Sequence, residues 1–247
     1  MAACAPAAVA ADSILPLLAY GPACSSSILL RNLADAPVDV ELEGHRSSGA
    51  LAPLEGHPGR LIHLRAGERG SYRLQIPEAE NGAWVRVRER TAPRATPTVD
   101  VSGSTECRRG DEIRTATRDV AFPTRDPWFE GEVEGLSRAL IAVLNASADA
   151  VRASVCYASG SLYSVPGETP ASRELRPVCS TSFEVQIPPF GTRHFPVESR
   201  GNSYVSVKTR GDSVVMQLLR PAKADVRTFT VDSTIKFGGE VPSGAGH

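Results

Sequence analysis

The chain has 247 residues, 41% of them hydrophobic and 22% charged, with 27 Lys and Arg set against 28 Asp and Glu for a net charge of -1. Such a composition is that of a globular protein and excludes global disorder. Near-neutrality removes the positive field that drives non-specific phosphate binding, so no nucleic-acid partner is expected, and no apolar run is long enough to span a bilayer as a helix.

Residues 1–12 read as a flexible Ala-rich leader. Ala2-Ala3-Cys4 resembles the end of a lipoprotein-processing box, but the apolar part of such a box is missing. Ser13 to Tyr20 is apolar and contains Pro16, which suits an edge strand rather than a helix. Gly21-Pro22 turns the chain, and Ser27 to Arg31 reads as the next strand. Asn32 to Pro37 is rich in turn residues, after which Val38, Val40 and Leu42 alternate with Asp39, Glu41 and Glu43. Strict alternation means one face in a core and one in water, as in an antiparallel sheet.

From 44 to 59 the chain is rich in Gly, Pro, Ser and His and is expected to be a loop with at most a short strand. Extended patterns resume at Leu61 to Leu64, at Tyr72, Leu74 and Ile76, and at Trp84 to Arg88, where Val85 and Val87 share a face. Thr98 to Val101 and Glu112 to Phe122 complete the series.

The same order is then written again. Asn32-Leu33-Ala34-Asp35-Ala36-Pro37-Val38 returns as Asn145-Ala146-Ser147-Ala148-Asp149-Ala150-Val151, 113 residues later. Ile113 to Asp119 returns as Val226 to Asp232 at the same distance. Val185 and Ile187 match Ile62 and Leu64, Phe195 and Val197 match Tyr72 and Leu74, and Tyr204 to Val207 matches Trp84 to Val87. A fixed shift of this kind predicts an internal duplication: residues 13–122 as one copy, 123–237 as the second with a joint at 123–135, and 238–247 as a flexible tail. Seven or so short strands per copy, separated by turn signals, predict two tandem all-β sandwiches.

The order Asn, turn, Pro-Val-x-Val-x-Leu, then Gly67-Glu68-Arg69 or Gly191-Thr192-Arg193 before an aromatic strand, then aromatic-Val-x-Val resembles immunoglobulin-like modules in secreted and surface proteins of bacteria. That resemblance implies antiparallel β-sandwiches and an extracytoplasmic setting. The core Trp between paired cysteines that marks the antibody branch is not recognisable, so the resemblance does not extend to that branch.

Cys24 and Cys107 fall in the first copy and Cys156 and Cys179 in the second, with Cys4 left over. One bridge per copy suits an oxidising compartment, whereas small buried thiols would suit a reducing one, and four cysteines allow three pairings. Cys156 has the outward parity of its strand while Cys179 shares parity with Phe183, so a bulge or strand end is needed between them. No Cys-x-x-Cys or Cys/His spacing predicts a metal site, and no Gly-rich phosphate loop predicts a nucleotide cofactor.

His45 and His57, beside Ser47 and Ser48, are the best candidates for chemistry, but no nucleophile elbow surrounds them; both are expected to be solvated loop histidines. Trp128, Tyr157 and Tyr163 are candidates for stacking on sugars, with packing as the ordinary alternative. Arg210-Gly211-Asp212 is expected to cap a hairpin, where it could be recognised by a receptor, although Gly-Asp is also plain turn chemistry. No catalytic constellation is found. The expected function is a non-catalytic, exported or cell-surface module pair for structure, adhesion or assembly, with another protein or a surface polymer as partner. The alternative is a carbohydrate- or ligand-binding accessory protein using loops 44–59 and 157–177.

Overall fold

A computed structural model describes residues 13–17, 24–57, 59–75, 83–90, 98–109, 112–132, 139–158, 179–197, 204–221, 229–231 and 238–240. In chain order its strands are β1 (Ser13–Leu17), β2 (Cys24–Asn32), β3 (Val38–Arg46), β4 (Leu51–Ala52), β5 (Leu61–Leu64), β6 (Arg69–Arg73), β7 (Ala83–Glu89), β8 (Val99–Arg109) and β9 (Glu112–Asp119). There follow β10 (Arg125–Glu132), β11 (Leu140–Asn145), β12 (Val151–Ala158), β13 (Thr181–Ile187), β14 (Thr192–Pro196), β15 (Tyr204–Arg210), β16 (Val214–Pro221), β17 (Phe229–Val231) and β18 (Gly238–Glu240). The described residues form no helix, and so none long and apolar enough to cross a membrane.

The N-terminal half holds a sheet ordered β1-β7-β3-β4, with β5 also on β3, and a second ordered β6-β2-β8-β9. The C-terminal half holds β13-β12-β15-β10-β18 and β14-β11-β16-β17. Every pairing is antiparallel, and β1, with Pro16 inside it, lies at a sheet edge where a missing N–H costs no ladder bond. Each half packs its two sheets face to face in the manner of a sandwich. One core runs from Leu15 to Val101 and includes Val38, Val40, Leu42, Val85 and Val87; the other runs from Phe129 to Leu218 and includes Val151, Ala153, Val155, Val205 and Val207. These are the residues that alternate along the sequence, so period-two burial is what selects the strand over the helix here.

Strand order and register recur between the halves. Val38 faces Leu64 and Val40 faces Ile62 across β3 and β5, while Val151 faces Ile187 and Ala153 faces Val185 across β12 and β13. Leu42 faces Val87, and Val155 faces Val207. One sequence match is out of step. Ser27 and Leu140, 113 residues apart, lie opposite Ser104 and Leu219, which in turn lie opposite Thr117 and Val231. Val231, 114 residues after Thr117, is thus the spatial counterpart, not Thr230. A slip of one residue exchanges the two faces of a strand.

Gly238–Glu240, grouped with the tail from sequence, forms β18 against β10; residues 241–247 lie outside the described residues. The expected joint 123–135 contains β10, which belongs to the C-terminal sheet and core. The expected loop 44–59 is shorter than predicted, because β3 continues through His45 to Arg46 and Leu51–Ala52 forms β4.

Candidate functional site

The outer face of β3 and β7 is charged along most of its length. Glu41 meets Arg88 at 3.7 Å and also pairs with Arg90, while Asp39 accepts from His63 Nδ1 at 2.8 Å. At one end the face changes character. His45, Trp84 and Ile14 have outward parity and are nevertheless buried, because the C-terminal half sits on them. Leu144, Ala146 and Val215 close over Ile14 and Trp84, with Ala121 and Phe190 packed at the margin.

The His45 ring stacks there on Trp84 at 4.5 Å and on Phe190 at 4.7 Å between centroids, and those two rings stand 6.5 Å from each other. Each stacked pair contributes on the order of 0.5–1.5 kcal/mol beyond the area buried. Trp84 Nε1 donates to the Phe190 carbonyl at 2.8 Å, and Arg86 donates to the Ala146 carbonyl at 2.6 Å while its guanidinium lies 5.3 Å from the Phe190 ring. Thr192 N–H donates to the Ser47 carbonyl at 2.9 Å. The connecting segment is bonded at both ends: Ala121 exchanges backbone bonds with Ile14, and Thr124 does so with Val214.

Gly49 adopts φ +89° in the turn after β3, a conformation that favours glycine, and its backbone lies against Pro189 so closely that an added Cβ would stand 2.1 Å from the Pro189 oxygen. Thus the expected solvated loop histidine is instead a strand residue, 2% exposed, in the seam between the halves. Glu43, two residues back on the same face, accepts from His45 Nε2 at 2.7 Å and also meets Arg60 and Arg86 at 3.2 and 3.7 Å. Burial holds the His45 pKa below its ordinary 6.5, outweighing the hydrogen bond that His45 donates to Glu43. Burial thus favours the neutral imidazole, whose Nε2–H donates a hydrogen bond to Glu43. An imidazole this deeply buried has no path to a substrate carbonyl, which is what a general base requires. His57 does lie in a turn, with Nδ1 2.9 Å from the Gly59 carbonyl and its ring edge-on to Tyr72.

The second recurring construction is the asparagine that ends β2 and β11. Asn32 Nδ2 donates to the carbonyls of Ala36, Leu64 and Arg65 at 2.8, 3.2 and 3.0 Å, and its Oδ1 accepts from Ala34 N–H at 2.8 Å. Asn145 Nδ2 donates to Asp149, Ile187 and Pro188 at 2.7, 3.4 and 3.0 Å, and its Oδ1 accepts from Ser147 N–H at 2.9 Å. Both side chains are fully buried. A primary amide has two donors and one acceptor oxygen, so it can tie a turn to the neighbouring strand connection in a way no apolar residue can. Asn145-Ala146-Ser147 has the form of a glycan acceptor, but the amide that a glycan would need is spent on these carbonyls.

The remaining candidates are dispersed. Tyr157 is on β12, not in a loop, with its ring in the C-terminal core and its hydroxyl donating to the Pro196 carbonyl at 2.7 Å. Tyr163 and Cys4 lie outside the described residues. Cys156 and Cys179 form a disulfide with Cα atoms 5.4 Å apart; Cys179 precedes β13, so the strand end resolves the parity conflict. The backbone register sets Cys24 directly opposite Cys107.

Arg210-Gly211-Asp212 does cap the β15–β16 hairpin, but it is pinned: Asp212 meets Arg125 Nε at 2.9 Å and Gly211 N–H donates to Asp126 Oδ1 at 2.7 Å. Trp128 is on β10 and 45% exposed. No group of three or more His, Cys, Asp or Glu among the described residues is placed to hold a metal ion. Trp84 stands at the opposite parity from Val85 and Val87, a position that does not by itself tell core from solvent. No protein-family model, curated protein or solved structure matches this chain.

Proposed function

We propose that the protein is a non-catalytic structural, adhesion or assembly element of the bacterial cell exterior, built from two duplicated immunoglobulin-like sandwiches joined into one rigid unit. The observation that carries this reading is the seam. Its histidine, the residue in the sequence with the most enzyme-like neighbours, stacks on Trp84 of its own half and on Phe190 of the other. A seam of stacked rings and backbone bonds suits a part that transmits force or holds spacing. Duplication is supported by the matching strand order and by the matched bonding of Asn32 and Asn145. An oxidising, extracytoplasmic location is supported by the Cys156–Cys179 bridge.

Two measurements test it. The purified chain should leave a broad panel of ester, glycoside and peptide substrates unchanged; turnover of any of them, lost with a point substitution, refutes the non-catalytic reading. Unreduced, denatured protein should titrate few free thiols, and four or five would remove the basis for export.

A further inference from the structure

Away from the seam, the outer face of β10, β15, β12 and β13 is mostly polar, with Trp128 and Tyr204 as its aromatic residues. Register places Gly238, Trp128, Lys208, Ser154 and Glu184 in a single row across five strands. From Trp128 to Glu184 the row crosses three strand spacings of ~4.8 Å, roughly 14 Å in all. Trp128 is 45% exposed although indoles usually seek cover. It packs closely on its neighbour: a Cβ added to Gly238 would stand 2.0 Å from Cε2 and 2.1 Å from Nε1. The glycine therefore makes room for the indole against the backbone of β18, while nearly half of the residue stays exposed.

The polar groups beside it are held in place. Glu130, two residues along β10 on the same face, meets Lys208 Nζ at 2.6 Å, accepts from Ser206 at 3.3 Å and is bonded to Tyr204. At the far end Glu184 accepts from Ser154 at 3.3 Å and meets Arg152 at 3.8 Å. The carboxylates and cations of the row pair off, which disfavours a polyanion. We infer that this face is a binding platform for a neutral hexopyranose polysaccharide, with Trp128 stacking on one sugar ring and the fixed Lys208, Glu130, Ser154 and Glu184 bonding hydroxyls of the rings along the row. The axial C–H bonds of a pyranose present an apolar face to an aromatic ring, while its hydroxyls both donate and accept and so suit a row of alternating donors and acceptors. The platform replaces loops 44–59 and 157–177 as the sugar-contacting surface and does not depend on the scaffold reading.

Affinity electrophoresis of the full chain through gels containing mixed-linkage β-glucan, xyloglucan, galactomannan or amylose, with alginate as the acidic comparison, tests it. At least one neutral polymer should retard the protein and alginate should not. Trp128→Ala should weaken that retardation at least tenfold with an unchanged melting temperature, Trp128→Tyr should restore part of it, and Gly238→Val, which lifts the indole, should weaken it. Retardation by none of the neutral polymers, retardation by alginate alone, or binding unaltered in Trp128→Ala would overturn the inference. Loss of binding on Tyr163→Ala but not Trp128→Ala would also overturn it, by moving the site to the 157–177 segment. A chain that ignores every glycan yet still lacks enzymatic turnover refutes the platform alone.

Discussion

Trp84 Nε1 donates to the Phe190 carbonyl at 2.8 Å across 106 residues of sequence, and that one bond joins a strand of the first sandwich to a turn of the second. Beside it His45 stacks on both rings. The seam is thus a small core of its own, separate from the two larger ones.

Trp84→Ala should therefore cost about 3–5 kcal/mol, the range for emptying a buried aromatic site. Trp84→Phe should cost less, about 1–3 kcal/mol, because it keeps much of the volume but leaves the Phe190 carbonyl without its donor. Urea denaturation followed by circular dichroism measures both. A cost below 1 kcal/mol for Trp84→Ala would mean that the halves do not stabilise each other.

Acid should weaken the fold before the carboxylates titrate. Burial lowers the pKa of His45 and holds that of His194 at about 4, both below the ordinary 6.5 of the unfolded chain. The unfolded chain then binds protons that the folded one refuses, so this contribution is intact above pH 6.5 and is lost as pH falls from 6.5 toward 4. Glu43 and Arg86 are the charged groups facing His45 and act in opposite directions on it. Urea midpoints should decline over that window, and the decline should be shallower in His194→Gln and His45→Gln.

Asn32 and Asn145 should be equally intolerant of change. Replacing either with Ala removes several buried hydrogen bonds at once, at a cost of about 2–4 kcal/mol. Aspartate has the same shape and no N–H donor, so Asn145→Asp should be about as damaging as Asn145→Ala. Melting curves that separate the aspartate variant from the alanine one, with aspartate near wild type, would show that the donated bonds matter little.

The disulfide should stabilise β12 and β13 rather than the whole chain. It closes a segment of 23 residues, for which chain entropy predicts roughly 3 kcal/mol. The paired Cys156→Ala and Cys179→Ala protein should lose hydrogen-exchange protection first in β13, an edge strand. Uniform loss through both halves would contradict this.

How much of this was legible beforehand follows from where the information sits. Val38, Val40 and Leu42, or Val151, Ala153 and Val155, declare a half-buried strand because a strand's two faces meet different solvents and the alternation is written locally. Asn32 and Asn145 declare a turn because their bonds close partly within four residues. The all-β character and the repeated order of strands follow from such local rules. The fate of His45, Trp84 and Trp128 does not, since all three stand at outward parity and only contact with a distant segment decides between core and solvent. Phe190 and Ala146 buried the first two, while Gly238 made room for the third, which stays nearly half exposed. Periodicity reports the core a strand faces; what covers its other side is set by the docking of chain segments far apart in sequence, which leave no periodic trace.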